Sequence, residues 1–182
     1  MANYMQPRKQ HLIDTALALF NQHGYHDTGI DLILAQSKVS KATLYKHFRS
    51  KDELILAALQ QRHEQVLTAL NTKIVQANTK GTSGALAVFD SLDEWFNSAA
   101  FFGCNFINAS AEYTDVNDPI NKFTAFHKQT VVDLIATQLP EKNTEIANKI
   151  GLLVEGAIVM AHTRGMKQSA LMAKKMAQHF IH

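Results

Sequence analysis

Lys41, Ala42, Thr43, Tyr45, Lys46 and His47 crowd into one short segment, and Lys51 follows four residues later. Lysine ammonium groups donate to guanine O6 and N7 or to phosphate, and threonine offers a hydroxyl and a methyl to base edges. Tyrosine and histidine hydrogen-bond phosphate oxygens without reading sequence. Small side chains at the amino end of such a segment let a backbone come close to a groove floor. The charge around the segment agrees: residues 1–51 hold seven Lys and Arg against three Asp, hence +4, and residues 52–182 hold eleven against thirteen acids, hence −2. A basic front and a mildly acidic back fit a chain that meets a polyanion at one end only.

The elements that would present these residues are helices. Proline occurs only at Pro7, Pro119 and Pro140, and the apolar residues between them recur at three and four residue intervals. The spacing predicts an all-α chain with helices over 8–23, 29–37, 41–47, 51–77, 83–99, 104–113, 118–138, 142–164 and 168–181, the stretch 78–84 acting as a linker. Leu12, Ile13, Ala16, Leu17 and Phe20 give the first helix one apolar side, and Gly24 stands where a left-handed residue would end it. Thr28 is expected to cap the second helix, Ser37 and Lys38 to make the turn, and Ser40 to cap the third, with Leu44 and Phe48 facing inward. Ser50 and Glu53 have capping-box spacing at the start of a long fourth helix. Two short helices joined by a tight turn, the second with a basic outer face, suit entry into a major groove.

From Val39 through Phe48, and again over Lys51-Asp52-Glu53-Leu54, the residues resemble the DNA-binding signature of the TetR family of helix-turn-helix regulators. The resemblance extends back through Ala16, Phe20, Gly24, Tyr25 and Thr28. It implies an all-α fold with a helix-turn-helix domain over 1–51 and a helical ligand-binding and dimerisation domain over 52–182, the fourth helix connecting them. It also implies that Thr28, Tyr45, His47 and Lys51 touch phosphates, while Lys41, Ala42, Thr43 and Lys46 lie against base edges or nearby backbone. The sequence departs from the family pattern at Lys38, where glycine is usual, and at Leu34 and Ser37. A left-handed Lys38 costs on the order of 1 kcal/mol, which a phosphate contact by its ammonium would offset.

One such module covers only a few base pairs, so useful specificity calls for two copies at a fixed spacing on a palindromic operator. The surface expected to join them is apolar. Ile150, Val154, Ala157, Ile158 and Ala161 supply it on the eighth helix and Leu171, Met172 and Met176 on the ninth, Gly151 and Gly156 permitting close approach.

A small effector is the other expected partner. Trp95, Phe96, Phe102, Phe123 and Phe126, with Cys104, Asn108, Glu112, His127 and His162, combine aromatic surface with sparse polar groups, the make-up of a ligand pocket and equally of an ordinary core. The run Gly103-Cys104 … Asn108-Ala109 … Glu112 is similar to a pattern in the ligand domains of part of the family.

Two alternatives attach to Cys104. A thiol at a helix start can react with oxidants or electrophiles and so serve as a sensor, although its neighbours Phe102 and Phe106 argue for inert packing. Cys104 and His127, oriented by Asn108 or Glu112, form the one catalytic constellation available, without any phosphate loop or dinucleotide fingerprint to support an enzyme. A third alternative is a DNA-binding adaptor indifferent to ligands. Among nine histidines, His179 with His182 has helical spacing, and His23 with His26 is interrupted by Gly24. No cysteine or acidic partner lies near either pair, so no metal or other cofactor is expected. With one cysteine, no leader-like amino terminus and no long apolar run, a cytoplasmic protein is expected.

Overall fold

The computed structural model describes residues 5–181, and His182, half of one histidine pair, lies outside them. Among the described residues nine α-helices follow in order: α1 (Met5–His23), α2 (Ile30–Ser37), α3 (Lys41–His47), α4 (Lys51–Thr79), α5 (Ala87–Phe96), α6 (Asn105–Glu112), α7 (Pro119–Ala136), α8 (Thr144–Arg164) and α9 (Ser169–Gln178). Short 3-10 turns occupy Gly84–Leu86 and Pro140–Lys142. No strand occurs among the described residues. The fold is all-α, as the spacing predicts, and each expected helix is present with ends shifted by a few residues.

The chain forms two compact units. The first comprises residues 1–64 and 104–125, the second 65–103 and 126–182. The division expected at residue 51 therefore falls elsewhere: α6 and the start of α7 belong with the helix-turn-helix, and α4 contributes to both units.

In the first unit Leu12, Ala16, Phe20, Tyr25, Ile33 and Leu44 have no exposed surface, nor have Leu54, Ile55 and Leu59 of α4. At roughly 1.5–3 kcal/mol per fully enclosed large apolar side chain, this shared core is the main support of the module. Gly24 ends α1 at φ +85°, its N–H donating to Phe20 O at 3.0 Å, and the rings of Phe20 and Tyr25 stack 5.1 Å apart. Gly29 is the cap residue of α2 and makes no side-chain cap bond, so the expectation for Thr28 is corrected. Thr28 is wholly buried, and its hydroxyl donates backward to Gly24 O at 2.6 Å, closing the α1–α2 turn instead of opening a helix.

Lys38 adopts the left-handed conformation (φ 57°, ψ 22°) after α2, its N–H donating to Leu34 O. Replacing it with glycine should remove that strain and raise stability by about 1 kcal/mol, less the added freedom of the unfolded chain. A denaturant midpoint that does not rise would contradict this. Ser40 caps α3 by accepting the Thr43 N–H at 3.2 Å. Ser50 accepts the Glu53 N–H at 3.2 Å, while the Glu53 carboxylate reaches the Arg49 N–H at 2.7 Å, one residue before the position a standard capping box would use.

The second unit is built on α5, α8 and α9. Val88, Phe89, Leu92 and Phe96 of α5 are enclosed, as are Ala147, Ile150, Val154, Ala157, Ile158 and Ala161 of α8 and Ala170, Ala173 and Ala177 of α9. The alanines of α9 let helices approach closely, and Ser169 Oγ donates to Ala157 O at 2.8 Å across the α8–α9 corner. Gly151 is required where α7 meets α8: a Cβ there would stand 2.9 Å from Val132 Cγ2. No helix among the described residues is long and apolar enough to cross a membrane.

Candidate nucleic-acid interface

About two helical turns set the α3 surface. Leu44 is enclosed, and Phe48, 4% exposed, closes the helix from its carboxyl end. With that side anchored, helical geometry forces Lys41, Ala42, Tyr45 and Lys46 outward, and all four are exposed; Thr43 is half-buried beside its cap. Tyr45 is 47% exposed, a large aromatic held in solvent on a face where no interior contact requires it. His47 is half-buried, its Nε2 enclosed without a hydrogen-bond partner. Burial first, then Lys9 and Lys46, pushes its imidazole below the usual histidine value, so the ring is neutral at pH 7. Lys9 adds a cation 5.6 Å over the Phe48 ring, and Lys38 is exposed at the α2–α3 turn.

Two residues expected at the interface are engaged within the head. Thr28, enclosed as described, has no surface to offer a phosphate in this conformation. Lys51 is half-buried, and its ammonium donates to His26 O at 3.1 Å, so it fastens α4 to the α1–α2 turn. Arg49, exposed between α3 and α4, is a cation that the sequence reading passed over. Its position beside Lys51 was the available signal.

The head is held from behind by α6. The Glu112 carboxylate accepts the backbone N–H groups of Tyr25 at 2.8 Å and His26 at 2.5 Å, and lies 3.2 Å from His26 Nδ1. Tyr25 OH donates to Asn105 O at 3.0 Å, and Tyr113 OH donates to Asp52 at 3.3 Å. Burial, the largest cause, drives both phenols well above the ordinary tyrosine range, so both stay protonated donors. Glu112, expected to line a pocket, is instead the acceptor that orders the α1–α2 turn. Sequence spacing carries no sign of a bond that bridges 87 positions.

Residues 12–58, which span α1 through the start of α4, match the family model described as bacterial regulatory proteins, tetR family. Over these residues the chain carries the TetR-family helix-turn-helix module. It is similar to a curated relative, the uncharacterized HTH-type transcriptional regulator YuxN of Bacillus subtilis, with 27% identity over 157 residues, 84% of this chain and 53% of the relative. It is also similar to the uncharacterized regulator Rv1556 of Mycobacterium tuberculosis, with 39% identity over 66 residues, 36% of this chain and 33% of that one. The match thus spans about half of YuxN and a third of Rv1556. Among solved structures, SCO4454, a TetR-family transcriptional regulator from Streptomyces coelicolor, superposes with a TM-score of 0.81 at 28% identity, covering 98% of both chains. The matched family, these relatives and this solved structure are transcriptional regulators and not enzymes of the Cys104–His127 kind.

The ten residues expected to bind an effector are distributed over both units. Cys104, Asn108, Glu112 and Phe123 belong to the first unit. There Cys104 is the buried cap residue of α6, Asn108 is half-buried and Phe123 meets His63 edge-on at 5.8 Å. In the second unit Trp95 and Phe96 pack with Phe101 at 5.0 Å each, and His162 meets Phe101 edge-on at 6.3 Å. Gly103, at φ +93°, leaves room for that imidazole: a Cβ would come within 2.8 Å of it. His127 is buried, whereas Phe102 is 41% and Phe126 56% exposed and turned out of the core.

The expected dimer surface on α8 is corrected. Ile150, Val154, Ala157, Ile158 and Ala161 are each at most 5% exposed and form the interior of their own unit. The apolar residues left outside are Leu152 and Val159 on α8, flanking exposed Gly156, and Leu171, Met172 and Met176 on α9. The α9 residues expected at that surface are thus exposed, whereas the exposed apolar residues of α8 lie on the side of the helix opposite those expected.

Proposed function

We propose that this chain is a ligand-responsive repressor that binds palindromic operator DNA as a homodimer in the cytoplasm and releases it when a small effector binds. The observation that carries the reading is the α3 surface, where Lys41, Ala42, Tyr45 and Lys46 face solvent on a helix whose other side is locked by Leu44. Two copies are needed for specificity, and the Leu152, Val159, Leu171, Met172 and Met176 stripe supports their association, since a row of large apolar groups on two neighbouring helices gains by being covered. The effector acts by differential affinity: it favours a state in which the spacing of the two heads no longer matches the groove repeat, with α4 as the connecting element.

Binding of operator fragments, measured against salt and chain concentration, tests this directly. If each head neutralises about three phosphates, the dimer should show a log-log salt slope on the order of −5. The pair Val159→Glu and Met172→Glu should convert the dimer to monomers in sedimentation and weaken operator binding at least about tenfold, because each charge would be carried into an apolar interface. A monomeric wild type without preference for any duplex sequence overturns the proposal.

A further inference from the structure

The basic surface of α3 continues onto α1. Lys9, near the start of α1, is exposed, and its ammonium stands 5.6 Å over the ring of Phe48, the residue that closes α3. A cation in that place is attracted by the negative face of the ring, which keeps Lys9 at the carboxyl end of the reading helix. The same ring lies 6.4 Å from the imidazole of His47. Two charges act on His47, and Lys9 acts more strongly than Lys46, a neighbour in the same helix. No carboxylate acts on it: at the start of α4, Glu53 is turned to the Arg49 N–H, and the Lys51 ammonium is turned to His26 O. Among the described residues neither Lys9 nor Lys46 is held in an ion pair. Like charges gathered at one end of a helix without a counter-ion repel, and a polyanion lying along α3 supplies the counter-ion.

We propose that Lys9 and Lys46, with His47 at their edge, seat one backbone phosphate of duplex DNA on each head, and that His47 takes up a proton from solvent when the phosphate arrives. The assignment rests on the reading of α3 as the helix that faces DNA. A contact from α1 to the phosphate chain adds affinity without sequence preference, so Lys9 fixes how the head sits and reads no base. The proton follows from charge. In the free chain burial and the two ammonium groups hold the imidazole below the usual histidine value, so the ring is neutral at pH 7. Its Nε2 has no hydrogen-bond partner, so no bond at that nitrogen has to break when the ring changes charge. A phosphate cancels the positive field of the two lysines and favours the charged ring, which gains the proton that solvent gives up. The bound state then holds more protons than the free one. Affinity therefore rises as pH falls, over the interval between the lowered value of the free ring and the higher value of the bound one.

The full chain and short mixed-sequence duplexes test this, with binding followed against salt and against pH from about 7.5 to about 6. Lys9→Met should weaken binding to all duplexes alike, by about tenfold for a dimer at ~0.1 M salt. It should also make the log-log salt slope shallower by about 1.8, because two heads each lose one phosphate. Lys9→Arg should restore both. Wild-type affinity should rise toward low pH with a log slope of at most about one per head, and calorimetry in buffers of different ionisation heat should record the matching proton uptake. His47→Asn should abolish that uptake. In the DNA-free protein, Lys9→Met should move the His47 titration, followed by nuclear magnetic resonance, to higher pH, since it removes the stronger of the two charges. A Lys9→Met variant that keeps the wild-type salt slope, whether or not it melts earlier, overturns the seat and leaves α3 as the reading helix. Proton uptake that survives His47→Asn, or no uptake in the wild type, overturns the coupling. A wild-type chain that binds no duplex at low salt overturns the DNA-facing reading itself.

Discussion

Reversing charge on the outer face of α3, by Lys41→Glu together with Lys46→Glu, is expected to lower affinity for any duplex by more than about 100-fold at ~0.1 M salt. Each lysine contact that is lost removes roughly 1–3 kcal/mol, and each new carboxylate adds repulsion from the phosphates. A dimer carries four such changes. The salt slope should become shallower by about 0.9 for each phosphate no longer neutralised. Both side chains are exposed and neither is placed in the core, so the unfolding free energy should stay within the ~0.5 kcal/mol spread of surface substitutions. A folded double variant that binds as wild type would remove α3 as the reading helix. The single change Lys46→Ala should relax discrimination among operator sequences, whereas Lys51→Ala, which releases α4 from the α1–α2 turn, should weaken all of them alike.

Glu112→Ala carries the second large expectation. Its carboxylate accepts two backbone N–H groups in the α1–α2 turn, those of Tyr25 and His26. Charge-assisted bonds of this kind contribute roughly 1.5–3 kcal/mol each when buried, but the side chain is 25% exposed and water can replace part of the loss. About 2 kcal/mol of destabilisation is therefore expected, a fall in melting temperature of several degrees for a chain of this size. Operator affinity should fall as well, because the turn it orders leads directly into α2 and α3. Glu112→Gln should be milder in stability, since a carboxamide still has one oxygen to share between the two donors. An unchanged unfolding midpoint in Glu112→Ala would show that the turn is fixed by the core alone.

These expectations show how unevenly the molecule could be read from its residues. The helix-turn-helix was legible because its signals are local: Gly24 as a stop, Ser40 and Ser50 as caps, Leu44 and Phe48 at helical spacing. Thr28 was misjudged for a related reason. A threonine before a helix can cap forward or bond backward, and the choice fell to the buried turn, where Gly24 O was the nearer acceptor. The α8 surface was misjudged because that helix is apolar nearly all round. Periodicity locates Ile150, Val154 and Ala157 on one side and Leu152 and Val159 on another, but it does not say which side its neighbours α5 and α9 cover.

The sequence by itself determined the number and type of the helices, the turns of the DNA-reading head and the basic face of α3, since each follows from spacing, caps and charge within a few residues. Tertiary structure alone decided that Glu112 clamps the α1–α2 turn, that Tyr25 OH donates to Asn105 O at the start of α6, and which side of α8 stays uncovered. The reason is physical: these outcomes depend on pairings between residues tens of positions apart, fixed by how whole helices pack and not by any preference of the residues themselves.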